Sequence, residues 1–129
     1  MSKYVWGDRS LKNMEGIHPD LRKVMDRALE ISETDMTVIE GLRTVERQKE
    51  LVRKGFSKTM NSRHITGHAV DVVPYPIAHR LSYPQEKWDQ VANAILTAAK
   101  ELGVDLIWGY GSWGWDHPHY QLTWKSYPK

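Results

Sequence analysis

Residues 62–74 read SRHITGHAVDVVP, and the fold turns on whether this stretch is helix or loop and strand. His64 and His68 stand four apart, so on a helix both would face one side and could grip a single metal ion. Thr66–Gly67 and the β-branched run that follows argue against a helix. The stretch therefore reads as the end of a polar loop over 56–67, a reversal at Gly67, and a strand over 68–74 stopped by Pro74 and Pro76. His64 and Asp71 can converge only because Gly67 lets the chain turn back between them.

Working outward, HPDLRKVMDRALEIS (18–32) predicts a helix. Pro19 and Asp20 suit its first turn, and Leu21, Val24, Met25, Ala28 and Ile31 form an apolar stripe. DMTVIEGL (35–42) predicts a strand, and RTVERQKELVRKG (43–55) a short helix with Thr44 as N-cap and Gly55 just past its end. Residues 84–102 predict the longest helix, with Trp88, Val91, Ala92, Ile95, Ala99 and Leu102 on one face and Gly103 closing it. DLIW (105–108) and HYQLTW (119–124) read as strands around a Gly-Trp-rich turn, GYGSWGW. Helices followed by a short-stranded sheet make an α+β fold, a small antiparallel sheet flanked by helices.

With 129 residues, 40% hydrophobic and 26% charged, the chain has the balance of one globular domain, 1–129, with no separate wall-binding unit. Cysteine is absent, which removes disulfides, Cys-type zinc fingers and thiol nucleophiles. No apolar run approaches the ~18 residues of a membrane span, so no membrane insertion is expected. The opening MSKYVWGDRS lacks the apolar core of a signal peptide. A net charge of +2 from 18 scattered Lys and Arg does not indicate nucleic acid. We expect a monomer.

Four of the six histidines fall in 62–71 and in WDHPHYQL (115–122). Imidazole and carboxylate are the zinc ligands left to a chain without cysteine, and a catalytic zinc takes three of them. Asp116 precedes His119 by three residues across a Pro turn. One of this pair could hold metal while the other accepts a proton from a water whose pKa the metal lowers toward ~7. His117 and His119 could instead chelate together, although Pro118 disfavours a regular strand there. Spacing alone leaves the third ligand open. His18 reads as a cap residue before Pro19, and His79 as solvated.

The ordered motifs Ser-x-His, Gly-x-Ala-x-Asp and Asp-x-x-His (SRHITGHAVD, DHPH) resemble the LAS-type zinc metallopeptidases. Within these, the chain looks most like the phage endolysins that act as L-alanyl-D-glutamate endopeptidases. GLRTVERQKELVRKGFSK and the opening SLKNMEGIHPDLRKVMDRALEIS resemble the same group, so the likeness spans nearly the whole chain. The resemblance implies a D-Ala-D-Ala-peptidase-like (Hedgehog-like) fold, Zn2+ held by His64, Asp71 and His119, Asp116 as acid/base, and Arg43 near the substrate carbonyl. His68 and His117 fall at variable positions, and Ser62 is a neighbour of the site rather than a nucleophile.

The partner implied is bacterial peptidoglycan, cut between L-Ala and D-Glu of the stem peptide. The location implied is the host cytoplasm until release to the wall. Two departures stand out. Gln121 occupies a position where Glu often stands, and the segment before the last ligand is short and rich in Trp. A D-Ala-D-Ala carboxypeptidase or a non-catalytic zinc module would carry some of the same signals, but an intact Asp116 and Arg43 weigh against the second. For Trp108, Tyr110, Trp113, Trp115 and Tyr120 the default is packing, with Trp113 or Trp115 as candidates for stacking on glycan.

Overall fold

A computed structural model describes residues 3–128. In chain order the elements are α1 (Asp8–Asn13), α2 (Pro19–Ile31), β1 (Met36–Glu40), α3 (Val45–Arg53), β2 (Ala69–Pro74), α4 (Gln85–Leu102), β3 (Leu106–Trp108), α5 (Gly109–Trp113) and β4 (His119–Leu122). The expected elements are present, but helices and strands alternate rather than follow in two blocks. The Gly-Trp-rich stretch is a short helix, α5, and not a simple turn. The last strand ends at Leu122, two residues early.

The local reasons match the sequence. His18 caps α2, its Nδ1 accepting from the Asp20 N–H at 3.0 Å. Thr44 caps α3 by accepting from the Arg47 N–H at 3.0 Å, and Gly103 ends α4 in the left-handed conformation. Gly67 has φ +75 and makes the predicted reversal. His79 lies on an exposed single 3-10 turn, as expected of a solvated residue.

The four strands form one antiparallel sheet in the order β1-β2-β4-β3. One face carries Val38, Val70, Val72, Tyr120 and Leu122, buried in a core shared with Leu21, Val24 and Met25 of α2 and Val91 and Ile95 of α4. α2 packs on α4, and α4 packs on β2 and β3. Period-two alternation sends Asp71, His119 and Gln121 to the opposite face. That face carries the chemistry.

β1 carries a bulge between Val38 and Glu40. α1, which the sequence analysis did not predict, completes the strand there. Ser10 Oγ accepts from the Val38 N–H at 3.0 Å, and Asn13 Nδ2 donates to the Val38 carbonyl at 2.8 Å. The close approach of α1 requires a glycine at position 41. A Cβ there would stand 1.9 Å from the Asn13 carbonyl oxygen and 3.1 Å from Ile17 Cγ2. We expect Gly41→Ala to cost ~3 kcal/mol or more, a fall of about 10 °C in Tm, in thermal unfolding. An unchanged Tm would show that α1 does not clamp this strand.

Candidate active site

Asp71 and His119 are direct cross-strand partners of β2 and β4, and Glu40 of β1 pairs with Asp71 on its other side. Partners in register share a face, so Glu40, Asp71 and His119 form a row across three strands. His64 comes from the loop and is buried. Its backbone is held on both sides: the N–H donates to Ser62 Oγ at 3.2 Å, and the carbonyl accepts the Arg43 N–H at 2.9 Å. Ser62 is thus a local support of the ligand loop.

The row and the loop bring three donors together. His64 Nε2 lies 3.2 Å and His119 Nδ1 lies 3.3 Å from Asp71 Oδ1. One donor atom from each of His64, Asp71 and His119 lies within 4.8 Å of the other two. Donors about 2.0–2.2 Å from one tetrahedral zinc stand roughly 3.3–3.5 Å apart, so the set has the size of a metal site.

The far ring nitrogens strengthen this fit. His64 Nδ1 donates to the Gly41 carbonyl at 2.9 Å, and His119 Nε2 pairs with Gln121 Oε1 at 2.8 Å. A neutral imidazole that donates on one side presents a lone pair on the other. Two lone pairs aimed at one carboxylate repel it, and a proton or a cation between them turns that repulsion into attraction. The charges agree. Burial disfavours ionisation of Asp71, but its bonds to His119 and His64 outweigh this and hold its carboxyl well below the usual range. Burial likewise opposes a charge on His119, yet Asp71 prevails and raises the imidazole above its ordinary value. The pocket attracts positive charge.

These three residues lie on a cleft of about 1000 Å³ that Arg43, Trp113, Trp115 and Asp116 also line. Asp116 has φ +68, a left-handed conformation uncommon outside glycine. Burial is the largest cause that raises its carboxyl pKa above the ordinary value; His119 opposes the rise and the negative Asp71 adds to it. Such a carboxylate is a better proton acceptor than a solvated one. Arg43 reaches the cleft bonded to Glu40, with Nη1 donating to Gln48 Oε1 at 2.7 Å and to Ser62 Oγ at 3.4 Å. All five residues singled out in the sequence border the same cleft.

The other histidines lie outside the donor set. His68 packs against His18, their ring centroids 5.4 Å apart, and its Nδ1 contacts Thr66 Oγ1. His117 stacks on Tyr110 at 4.1 Å. Trp108 donates to the His117 carbonyl at 2.6 Å, and Tyr120 is fully buried, so these two pack rather than face the cleft. Trp113 lies 5.5 Å from the His119 ring, and Trp115 is exposed at the rim.

Three supports went unnoticed in the sequence. Gln48, fully buried, holds Arg43. Glu40 pairs with the same arginine. Arg63, also buried, donates from Nη2 to the carbonyls of Leu122, Thr123 and Tyr127 and lies 4.0 Å over the Trp124 ring. That capture pulls the chain out of the sheet after Leu122, which explains the shortened β4. A glutamine mid-helix or an arginine beside a ligand gives no pattern by which to recognise such roles.

His64, Asp71 and His119 form a cluster able to bind a metal ion, in an open cleft that a carboxylate and an arginine also line. The sequence profile of the phage L-alanyl-D-glutamate peptidase family matches residues 1–123. The L-alanyl-D-glutamate peptidase of Escherichia phage T5 is 36% identical over 110 residues, 82% of this chain and 80% of that protein. The crystal structure of the Serratia marcescens L-Ala D-Glu endopeptidase ChiX superposes with TM-score 0.86 at 45% identity, covering 98% of this chain and 96% of that one. The vancomycin-resistance D,D-dipeptidase VanXYg, at 14% identity and TM-score 0.56, covers 82% of this chain and 50% of its own, and shares the fold.

The chain belongs to the phage L-alanyl-D-glutamate peptidase family. The expected fold class and the resemblance to this peptidase group are both borne out.

Gln121 tests how the site holds a cation. Its amide oxygen stands 2.8 Å from His119 Nε2, where it favours the Nε2–H tautomer at a position that often carries Glu in the family the chain resembles. We expect Gln121→Ala to weaken metal binding ~10–100-fold in chelator competition, and Gln121→Glu to tighten it. Equal affinities across the three proteins would remove this role.

Proposed function

We infer that the protein is a zinc-dependent peptidoglycan endopeptidase that hydrolyses the L-Ala–D-Glu bond of the stem peptide. The observation that supports it most directly is the convergence of His64, Asp71 and His119 on one point in a cleft walled by Arg43 and Asp116. Family membership supplies the bond. His64, Asp71 and His119 would hold the ion, which when bound polarises the scissile carbonyl and lowers the pKa of a water toward ~7.

The chain's own groups supply the rest. Asp116 takes the proton of the attacking water as its oxygen bonds to the alanyl carbonyl carbon. Arg43, held by Glu40 and Gln48, donates to the oxygen on which negative charge develops. As the C–N bond breaks, Asp116 returns the proton to the glutamate nitrogen, which leaves as a neutral amine. Trp113 and Trp115 shield one side of the cleft and offer faces for sugar or peptide.

We read residues 1–129 as one catalytic domain, acting as a monomer on bacterial peptidoglycan without nucleic acid. Among the described residues no helix is long and apolar enough to cross a membrane. A phage enzyme of this family would wait in the host cytoplasm until release gives it access to the wall.

The test digests chelator-washed peptidoglycan with and without zinc and identifies the new ends by mass spectrometry. C-terminal L-Ala and N-terminal D-Glu, dependent on the metal, are expected. Asp116→Asn should lose ~10²–10⁴ or more in turnover and Arg43→Ala ~10²–10³, both with metal content intact, whereas His119→Ala should lose the metal itself. Released D-Ala would replace this reading with a carboxypeptidase, and loss of zinc from Asp116→Asn would overturn the assignment of roles.

A further inference from the structure

Among the described residues three Lys or Arg side chains line the cleft, and two of them are not free to meet a new anion. Arg43 is bound by Glu40, Gln48 and Ser62. Arg63 lies buried against Trp124, with Nη2 donating to backbone carbonyls and with Nε and Nη1 buried away from any incoming anion. Lys58 is different: it is exposed at the cleft, and among the described residues nothing pairs with its ammonium.

The turn that carries it is nevertheless fixed. Gln48 Nε2 donates to Ser57 Oγ at 2.9 Å and to the Thr59 carbonyl at 2.5 Å, while its Oε1 accepts from Arg43. Lys58 sits between the two anchored residues, so its backbone is held while its side chain stays free. One buried glutamine thereby positions both the arginine that would face the carbonyl and the turn that presents the lysine.

The substrate supplies the missing anion. In the stem peptide the D-glutamate continues the chain through its side-chain carboxyl. Its α-carboxylate therefore remains free on the carbon that bears the scissile nitrogen. The cleft already holds Glu40, Asp71 and Asp116, and a further carboxylate entering it meets repulsion unless a cation receives it.

We propose that Lys58 is the specificity-determining residue that receives the free α-carboxylate of the D-glutamate on the leaving side of the bond. This rests on the endopeptidase reading above. It makes the enzyme a reader of α-amidation, since an isoglutamine stem offers a neutral amide at that position.

The test compares kcat/KM on two disaccharide pentapeptides, both ending in D-Ala-D-Ala, that differ only in this group, α-carboxylate or α-carboxamide, for wild type, K58Q and K58R. Products are identified by mass spectrometry. Wild type should favour the acid by about five-fold, the upper value of one solvent-accessible ion pair. The preference should shrink at high salt. K58Q should bring the ratio to about one by slowing cleavage of the acid, and K58R should keep it.

Cleavage at the Ala–Glu bond with no preference in wild type, or a K58Q that slows both substrates alike, would overturn the lysine's role and leave the endopeptidase reading intact. Cleavage only at a terminal D-Ala would assign the lysine to a terminal carboxylate and overturn both.

Discussion

Asp71 stands between two imidazoles, 3.2 Å from one and 3.3 Å from the other, and most of the site follows from that position. Its pairing with His119 is a matter of strand register, and register has period two. A slip of one residue between β2 and β4 would exchange the ligand face for the core face. Val70, Val72, Tyr120 and Leu122 prevent it, because all four are fully buried on the other side of the same strands. The hydrophobic core and the donor set are thus two faces of one constraint, and the core supplies the energy that keeps charged and polar groups aligned.

The third donor does not come from the sheet, and it is held by different means. Gly67 reverses the chain, the Arg43 N–H fastens the His64 carbonyl, and Gly41 receives the far nitrogen of the ring. Every one of these contacts is to backbone, so the imidazole is oriented by groups that cannot rotate away. Asp116 is placed by a left-handed backbone, with Gly109 close behind it: a Cβ on that glycine would come within 2.7 Å of the Asp116 carbonyl oxygen. Unusual backbone at a candidate proton acceptor is stable only because its neighbours leave no alternative.

The electrostatics of the cleft are organised around unequal partners. Arg43 and Glu40 form an ion pair that is largely shielded from water, an arrangement worth little for stability by itself because both charges lose hydration. Its effect is geometric. Together with Gln48 it keeps a guanidinium aimed at the cleft, where a floppy surface arginine would have to be ordered anew by each substrate. The donor triad is a concentrated site for positive charge, whereas the Lys58 ammonium waits for a negative one.

Much of this was legible in the residues. Helix limits followed from His18, Thr44 and Gly103, and the loop-to-strand reading of 62–74 from Gly67 and its β-branched neighbours. The candidate donor set needed more, since spacing left His64 open to pairing with His68 and His119 with His117; resemblance pointed to His64, Asp71 and His119, and the register of β2 with β4 brings the last two together. Gln48, Glu40 and Arg63 were invisible, as each acts on residues brought near only by folding. The sequence by itself determined the three long helices and the four strands, though not the short helices α1 and α5, because caps, periodicity and glycine act over a few neighbouring residues. Only the tertiary structure decided which donors converge and which cation is left unpaired, because those outcomes depend on contacts between residues far apart in the chain.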